Sequence, residues 1–452
     1  MTSASVSQSG ASPTTRTGLA LAALSPILVG LLIKSVLFVE GEPVIINYVA
    51  STVTLGCLTL YALMYGSQLL NPTTLAIATV AVLWAAFSAV ESGIALNLLA
   101  AITFGVLMFG FLIGPPVLLY RAKVEGWRAV NLALTLGTVL SLALIVLGIG
   151  EPIDPDNGRL RGVWVSVAVA CSLFGFNCFL SVREALIAKS RAMSVAWTGV
   201  AALAFYLLYL TRTRSSLAEL VISLILLALF APMRRGLRIV SLTLLSIALV
   251  FSVISLGAIS TGSVSVDEQL SEFRLADRDL TDARDGNWQF GIERISAKPL
   301  FGEGLLAKQT QGGKGGVDFD SRSNYDPRYD PHSLLISLGV QGGVPFVILM
   351  TALLVMILWR FVATFGVGRA LQSPEFVIVS LRLGISVFSG GDMTALGNVV
   401  DKIVWLFIGL IALKTELMRR QQRRGTKAGS AALLAPAFSA PQRRLGLGRL
   451  RS

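Results

Sequence analysis

The chain contains a single histidine, His332, and this residue lies in the one long polar segment, residues 260–343. Asp330 and Pro331 precede it, and these residue types are favoured at the N-cap and in the first turn of a helix. We therefore expect a helix that runs to Val340 with His332 in its first turn. Gly342, Gly343 and Pro345 should then break it before the tenth span. The positive end of the helix dipole favours the neutral imidazole, which is the form that a general base requires. A lone histidine is often structural, so both roles remain open.

Two arginines, Arg212 and Arg214, lie in the sequence TRTR at 211–214, between two apolar runs. Arginines at helix ends commonly extend to the membrane surface as anchors. The alternative is that they belong to a site, and the sequence leaves both interpretations open.

A third arginine, Arg284, lies one helical turn before Trp288, in a segment whose Trp288, Ile292 and Ile295 recur at helical spacing. We expect a short amphipathic helix that ends before Pro299. Such a helix either lies flat on the bilayer or packs against other parts of the polar segment.

The composition is that of a polytopic membrane protein. Hydrophobic residues make up 54% of the chain and charged residues only 14%, against about 25% charged in average soluble domains. The net charge of +12 does not indicate nucleic acid, because the cations lie in short loops between apolar runs and in the C-terminal tail. Membrane lipids are therefore predicted partners, and nucleic acid is not.

We predict an all-α polytopic membrane protein with about twelve transmembrane helices, since a bilayer core requires about 20 apolar residues per helix. The predicted order is a disordered cytoplasmic N-terminus (1–17), helices 1–9 (18–259), a periplasmic catalytic loop (260–343), helices 10–12 (344–418) and a basic cytoplasmic tail (419–452). The predicted spans start near residues 18, 44, 73, 95, 129, 162, 192, 215, 238, 344, 374 and 396.

The positions of Lys and Arg predict the orientation. If the N-terminus is cytoplasmic, the inner short loops carry Arg121, Lys123, Arg128, Arg183, Lys189, Arg191, Arg234, Arg235, Arg238, Arg360 and Arg369. The outer short loops carry Arg159, Arg161, Arg212 and Arg214, and Lys402 lies at a boundary. An excess of inner cations follows the positive-inside rule. This orientation places the polar loop, between helices 9 and 10, on the outer face.

One charge is predicted inside the membrane, because Arg382 falls near the middle of the eleventh span. A charge there costs at least about 2.5–3.5 kcal/mol on insertion scales. It requires a partner, and Glu219 of the eighth span is the nearest candidate by depth. The pair is either structural or functional.

Three segments resemble the O-antigen ligase and O-antigen polymerase superfamily. They are TRTRSSL at 211–217, ARDGNWQFGIERISAKPLFGEG at 283–304 and PHSLLISLGVQGGVP at 331–345. The resemblance implies a GT-C-like glycosyltransferase of the bacterial inner membrane that uses no cofactor and has a periplasmic active site. Such an enzyme moves a glycan from undecaprenyl diphosphate to an acceptor hydroxyl with inversion of the anomeric configuration.

The resemblance also implies roles for particular residues. Arg214 matches the arginine of a Ser/Thr-Arg-small pattern and Arg284 matches the arginine before the loop tryptophan; both would bind the donor diphosphate. His332 matches a loop histidine that acts as the base, although Ser333 replaces the Asn that commonly follows it. Arg212, beside Arg214, is included as a donor contact. Arginine suits this task because its planar fork makes bidentate bonds to phosphate oxygens.

Several alternatives remain open. A ligase transfers the glycan to lipid A-core sugar, whereas a polymerase transfers it to a second lipid-linked glycan, and we favour the ligase. A twelve-helix transporter or lipid-linked glycan flippase is the alternative of another class, but the sequence has no sign of repeated halves. A membrane scaffold without activity is the third interpretation, which the outer arginines disfavour.

The polar loop contains Asp318-Phe319-Asp320, which resembles the Asp-x-Asp pair that holds a divalent cation in many nucleotide-sugar transferases. The expected donor has no nucleotide diphosphate, and the arginines can neutralise the lipid diphosphate. We therefore predict that transfer requires no metal.

Overall fold

The computed structural model describes residues 13–37, 43–66, 71–149, 152–153, 158–164, 167–230, 282–306, 331–389, 393–394 and 399–434. These ranges are all-α apart from one isolated bridge between Ile153 and Leu160. The helices are α1 (Pro13–Leu37), α2 (Pro43–Gly66), α3 (Pro72–Glu91), α4 (Ala95–Ala122), α5 (Gly126–Leu147), α6 (Val167–Ile187), α7 (Arg191–Leu210), α8 (Arg214–Phe230), α9 (Asp282–Ala297), α10 (Leu334–Phe365), α11 (Val367–Ala370), α12 (Pro374–Ser389) and α13 (Val399–Leu434).

The predicted all-α fold is confirmed, and a helix occupies every predicted span position that falls within the described residues. Among these helices, six are long and apolar enough to cross a membrane: α3, α4, α5, α6, α7 and α10. The ninth predicted span, starting near residue 238, lies outside the described residues. The number of spans therefore stays a prediction.

Local capping sets the start of several helices. Asn71 is the N-cap of α3, and its Oδ1 accepts hydrogen bonds from the backbone N–H groups of Thr73 (3.0 Å) and Thr74 (3.1 Å). Ser190 does the same for α7, with its Oγ accepting from Met193 N at 3.2 Å. These bonds satisfy N–H groups that have no partner inside the helix, so the sequence determines where these helices begin.

Helix α4 lies at the centre of the bundle, where it packs against α1, α2, α3 and α13. A methyl group at Gly114 would lie 3.1 Å from Leu58 Cβ in α2, and one at Gly409 in α13 would overlap the Phe111 carbonyl oxygen. Small residues let membrane helices approach closely and so gain dispersion contacts. These glycines therefore bring α2 and α13 directly onto α4.

Four of the five connections from α3 to α8 are three residues long, and the fifth, between α5 and α6, spans residues 148–166. Successive connections lie at alternate ends of the bundle. The turn 92–94, the segment 158–164 and the turn 211–213 consequently share one end, which we call the loop end. Segment 298–306 is hydrogen-bonded to residues at the same end of α3 and α4. The candidate site residues that the structure describes therefore lie at the loop end.

The opposite end of the bundle carries an ionic cluster. The Arg128 and Arg183 guanidinium groups lie 5.2 and 5.1 Å from the centre of the Trp127 ring. Arg128 Nε also lies 2.6 Å from Glu184 Oε1. Arg128 and Arg183, which belong to the predicted inner loops, thus lie at the end of the bundle away from the candidate site.

Candidate active site

Helix α9 carries Arg284 and packs against the beginning of α10. A methyl group at Gly291 would lie 2.5 Å from Ile336 Cγ2 and 3.3 Å from Pro331 Cβ, so the backbones approach closely here. The prediction of a short helix in this segment is confirmed, and of the two orientations left open these contacts favour packing within the loop. Only the backbone position of Arg284 is described, two helical turns before Gly291 on the same face of the helix.

Helix α10 is broken at Gly343, whose φ of 72° and ψ of −177° are not helical. The sequence predicted this break. The break interrupts the backbone hydrogen bonds of the helix around it. Val344 N donates to Pro299 O at 2.8 Å instead of to the helical carbonyl of Val340. Pro345 has no N–H, so it donates no hydrogen bond to the carbonyl oxygen of Gln341, one helical turn before it. Each buried carbonyl left without a donor would cost about 1–3 kcal/mol.

The segment after α9 supplies the missing donors. Glu303 N donates to Val340 O at 2.8 Å, and Gly304 N donates to Gln341 O at 3.0 Å. Gly302 makes this approach possible, because a side chain at that position would collide with the Val340 carbonyl oxygen. The turn that ends α9 therefore caps the broken end of α10, and the two helices form one unit.

Helix α3 fastens this unit to the bundle. Trp84 Nε1 donates to Gly342 O at 2.9 Å, and the Trp84 ring stacks on Phe301 with the ring centres 5.2 Å apart. Ser88 Oγ bonds to Gln341 O at 2.8 Å and contacts the Phe301 carbonyl oxygen. Polar side chains of a predicted span thus hold the break in α10 at the loop end.

Two more contacts fix the turn that follows α9. Asn97 of α4 donates from Nδ2 to Glu303 O at 3.2 Å and accepts at Oδ1 from Leu306 N at 2.8 Å. Arg294 forms a two-pronged ion pair with Glu303, with Nε–Oε1 at 3.0 Å and Nη2–Oε2 at 2.5 Å. The Arg294 side chain is only 8% exposed, so this charge-assisted pair is well placed to be strong.

His332 lies before the helix and not within it. Helix α10 begins at Leu334 with Ser333 as its N-cap, and His332 has a left-handed φ of 47°. The prediction that His332 occupies the first helical turn is therefore wrong. The backbone at His332 is left-handed, and the helix starts only at Leu334. His332 is half-buried between the buried residues Pro331 and Ser333. Asp330, the predicted N-cap, lies outside the described residues.

The second predicted group lies in the turn between α7 and α8. Helix α7 ends at Leu210, Thr211 is its C-cap, and α8 starts at Arg214. Arg212, between them, is exposed and has a left-handed φ of 50°. Only the backbone position of Arg214 is described. The TRTR sequence therefore forms a tight interhelical turn at the loop end.

The structure places His332 beside the helix that carries Arg284. His332 and the helix that carries Arg284 are joined through Pro331, Gly291 and the capped break in α10. The turn with Arg212 and Arg214 joins the same assembly indirectly, because α8 packs on α12 and α12 packs on α10. The aspartates of the Asp318-Phe319-Asp320 sequence lie outside the described residues.

Arg382 and Glu219 lie on α12 and α8, which pack against each other, and their partnership stays a prediction. Glu219 is buried, and its Oε1 has no hydrogen-bond partner among the described residues. Glu219 therefore lies beneath the turn with Arg212 and Arg214, in the helix that begins at Arg214.

Sequence reasoning missed several residues that build this end of the molecule, among them Ser88, Asn97, Arg294 and Glu303. Ser88 and Asn97 bond to backbone groups more than 200 residues away. Arg294 pairs with Glu303 across the end of α9, so helical spacing gave no indication of any of these contacts. The signal that was present is a polar residue inside or next to an apolar run, as at Ser88 and Asn97.

Residues 199–351 match the family model described as O-antigen ligase. The match confirms the resemblance to the O-antigen ligase and O-antigen polymerase superfamily. A comparison with curated proteins finds no match. The matched region begins within α7 and ends within α10, so it contains the interhelical turn, α9 and His332.

Proposed function

We propose that this protein is a glycosyltransferase that moves a glycan from undecaprenyl diphosphate to an acceptor sugar hydroxyl at the periplasmic face of a bacterial inner membrane. The acceptor that we favour is lipid A-core sugar, which makes the reaction O-antigen ligation. One observation carries the proposal: a single region that matches the O-antigen ligase family, residues 199–351, contains Arg212, Arg214, Arg284 and His332. The close packing of α9 on Pro331 supports it, since Arg284 and His332 then belong to one unit.

In the proposed reaction, His332 accepts the proton of the acceptor hydroxyl while the hydroxyl oxygen attacks the anomeric carbon of the donor. The bond between this carbon and the diphosphate oxygen breaks, and its electron pair leaves with undecaprenyl diphosphate. A positioned base contributes typically about 10²–10⁴-fold to such a step. One displacement without a covalent intermediate gives a product of inverted configuration.

The arginines are proposed to stabilise the leaving group. Arg214 and Arg284 bind the diphosphate oxygens, and Arg212 contributes charge beside them. Fixed cations aimed at the place where charge develops are the usual means by which an enzyme stabilises a leaving group electrostatically. This assignment requires no metal and no cofactor.

The test is reconstitution of the purified protein in proteoliposomes with a lipid-linked donor. Transfer of the glycan to lipid A-core supports the ligase, whereas elongation of a second lipid-linked glycan assigns the polymerase reaction instead. Movement of the donor across the bilayer without any transfer would overturn the enzyme assignment in favour of a flippase. Loss of transfer in chelator that Mg²⁺ or Mn²⁺ restores would overturn the metal independence.

A further inference from the structure

The segment between α5 and α6 reaches across the loop end to the turn between α7 and α8. Ile153 and Leu160 form an isolated antiparallel bridge within this segment. Leu160 N then donates to Leu210 O, the last residue of α7, at 3.1 Å. The bridge shapes the segment, and the bond to Leu210 holds the neighbouring Arg159 beside the turn.

The Arg159 guanidinium bonds to the turn at several points. Its Nε donates to Thr211 O at 2.8 Å, and its Nη2 donates to Thr213 Oγ1 at 2.6 Å. Nη2 also reaches Arg212 O at 3.5 Å. The turn carbonyls follow the end of α7 and have no donor within that helix. The planar, permanently charged guanidinium of Arg159 thus contacts all three residues of the turn: Thr211, Arg212 and Thr213.

The turn has a conformation that requires such support. Arg212 is held at a left-handed φ of 50°, which is sparsely populated by residues other than glycine. Thr213 Oγ1 donates to Thr211 O at 3.2 Å, so the hydroxyl that accepts from Arg159 also closes the turn. The bonds from Arg159 lie on both sides of the strained residue.

We propose that Arg159 is a positioning residue for the donor site: it fixes the Thr211–Thr213 turn so that Arg212 and Arg214 are presented to the diphosphate. The inference rests on the proposed function, because it assumes that this turn binds the donor. Arg159 acts through the turn and needs no contact with the reacting atoms. Its removal therefore weakens donor binding and leaves the acceptor unaffected.

The experiment measures KM for the donor, KM for the acceptor and kcat in the reconstituted full-length protein. Arg159→Ala should raise the donor KM about tenfold, because the turn loses its charge-assisted hydrogen bonds from the guanidinium, with the acceptor KM unchanged. Arg159→Lys keeps the charge and loses the fork, so it should restore only part of the affinity. The matched control is Arg161→Ala, which removes the same charge from the same segment and should leave the donor KM within about twofold of the wild-type value.

Thr213 provides a second test that leaves Arg159 in place. Thr213→Val should raise the donor KM and Thr213→Ser should not, because serine keeps the hydroxyl. Combining Arg159→Ala with Thr213→Val should raise the donor KM by less than the product of the two single effects, since both changes remove the bond between Arg159 and Thr213. An unchanged donor KM in Arg159→Ala and Thr213→Val, or an equal rise in Arg161→Ala, would overturn the proposal.

The donor-binding role of Arg214 and the positioning role of Arg159 can be tested separately. If Arg214→Ala keeps full transfer, the turn does not bind the donor, and both the assignment of Arg214 and the inference on Arg159 are wrong. If Arg214→Ala is inactive while Arg159→Ala has a wild-type donor KM, only the positioning role of Arg159 is wrong.

Discussion

Two residues of the candidate site, Arg212 and His332, have left-handed backbones. Among the non-glycine residues that the structure describes, only Lys123 and Met393 share this feature, and Lys123 is the C-cap of α4. The conformation costs an ordinary residue about 1–2 kcal/mol, and such strain persists where surrounding contacts impose it, often at functional sites. The two strained residues are therefore consistent with the proposed active site.

The first prediction concerns the diphosphate arginines. Arg214→Ala and Arg284→Ala should each abolish transfer while expression and membrane insertion stay normal, because the leaving group loses its fixed cations. Arg214→Lys and Arg284→Lys should recover part of the rate, since lysine keeps the charge but not the bidentate geometry. Arg212→Ala should have a smaller effect. Wild-type rates in both Ala variants would show that these arginines do not bind the diphosphate and act only as membrane anchors.

At the residue scale, the sequence identified His332 as a candidate base but did not predict its backbone conformation. Its uniqueness and its place in the polar loop were visible, whereas the Asp-Pro signal suggested a helix start that Ser333 in fact provides. Arg159 was counted only as an outer cation, because its bonds go to a turn more than 50 residues away. Contacts of that kind follow from tertiary packing, which local propensity does not encode.

At the scale of elements, the capped break in α10 connects α9 to the bundle. The second prediction is that Gly343→Ala destabilises the protein by at least about 1 kcal/mol. The backbone is left-handed there, and a methyl group would overlap the Leu300 carbonyl. Thermal unfolding in detergent measures the change. The control is Gly199→Ala in α7, where a methyl group meets nothing within 4 Å and the melting temperature should not fall.

The third prediction concerns the ion pair between Arg294 and Glu303. Arg294→Met should destabilise the protein by up to about 3–5 kcal/mol, because it leaves a largely buried carboxylate without its partner. The double variant Arg294→Met/Glu303→Leu should recover much of the loss, since no charge is then stranded. Glu293→Gln, at an exposed neighbour, should leave the melting temperature unchanged. If the double variant is no more stable than Arg294→Met, the pair is not the source of the stability.

Helix boundaries and the break at Gly343 followed from caps, glycines and prolines, which act locally. The donors that satisfy the break did not, because Trp84 and Ser88 lie more than 200 residues before it. A sequence can therefore indicate that a membrane helix is broken, but the partners of the freed carbonyls become visible only once the helices are assembled.

At the scale of the whole molecule, the cation distribution predicts that the loop end faces the periplasm. The fourth prediction uses a variant without Cys57, Cys171 and Cys178. In intact cells, a membrane-impermeant maleimide should label Glu91→Cys, at the loop end, and should label Lys189→Cys only after permeabilisation. Both side chains are exposed, so access depends on the side of the membrane. The reverse labelling pattern would show that the loop end faces the cytoplasm and would contradict a periplasmic active site.

The most direct test of the central claim compares wild-type protein with His332→Asn, since asparagine tolerates the left-handed backbone at this position. We predict that single-turnover transfer falls by at least about 10² while binding of the lipid-linked donor is retained. Near-normal transfer by His332→Asn, or a loss explained by failed donor binding alone, would contradict the assignment of His332 as the base.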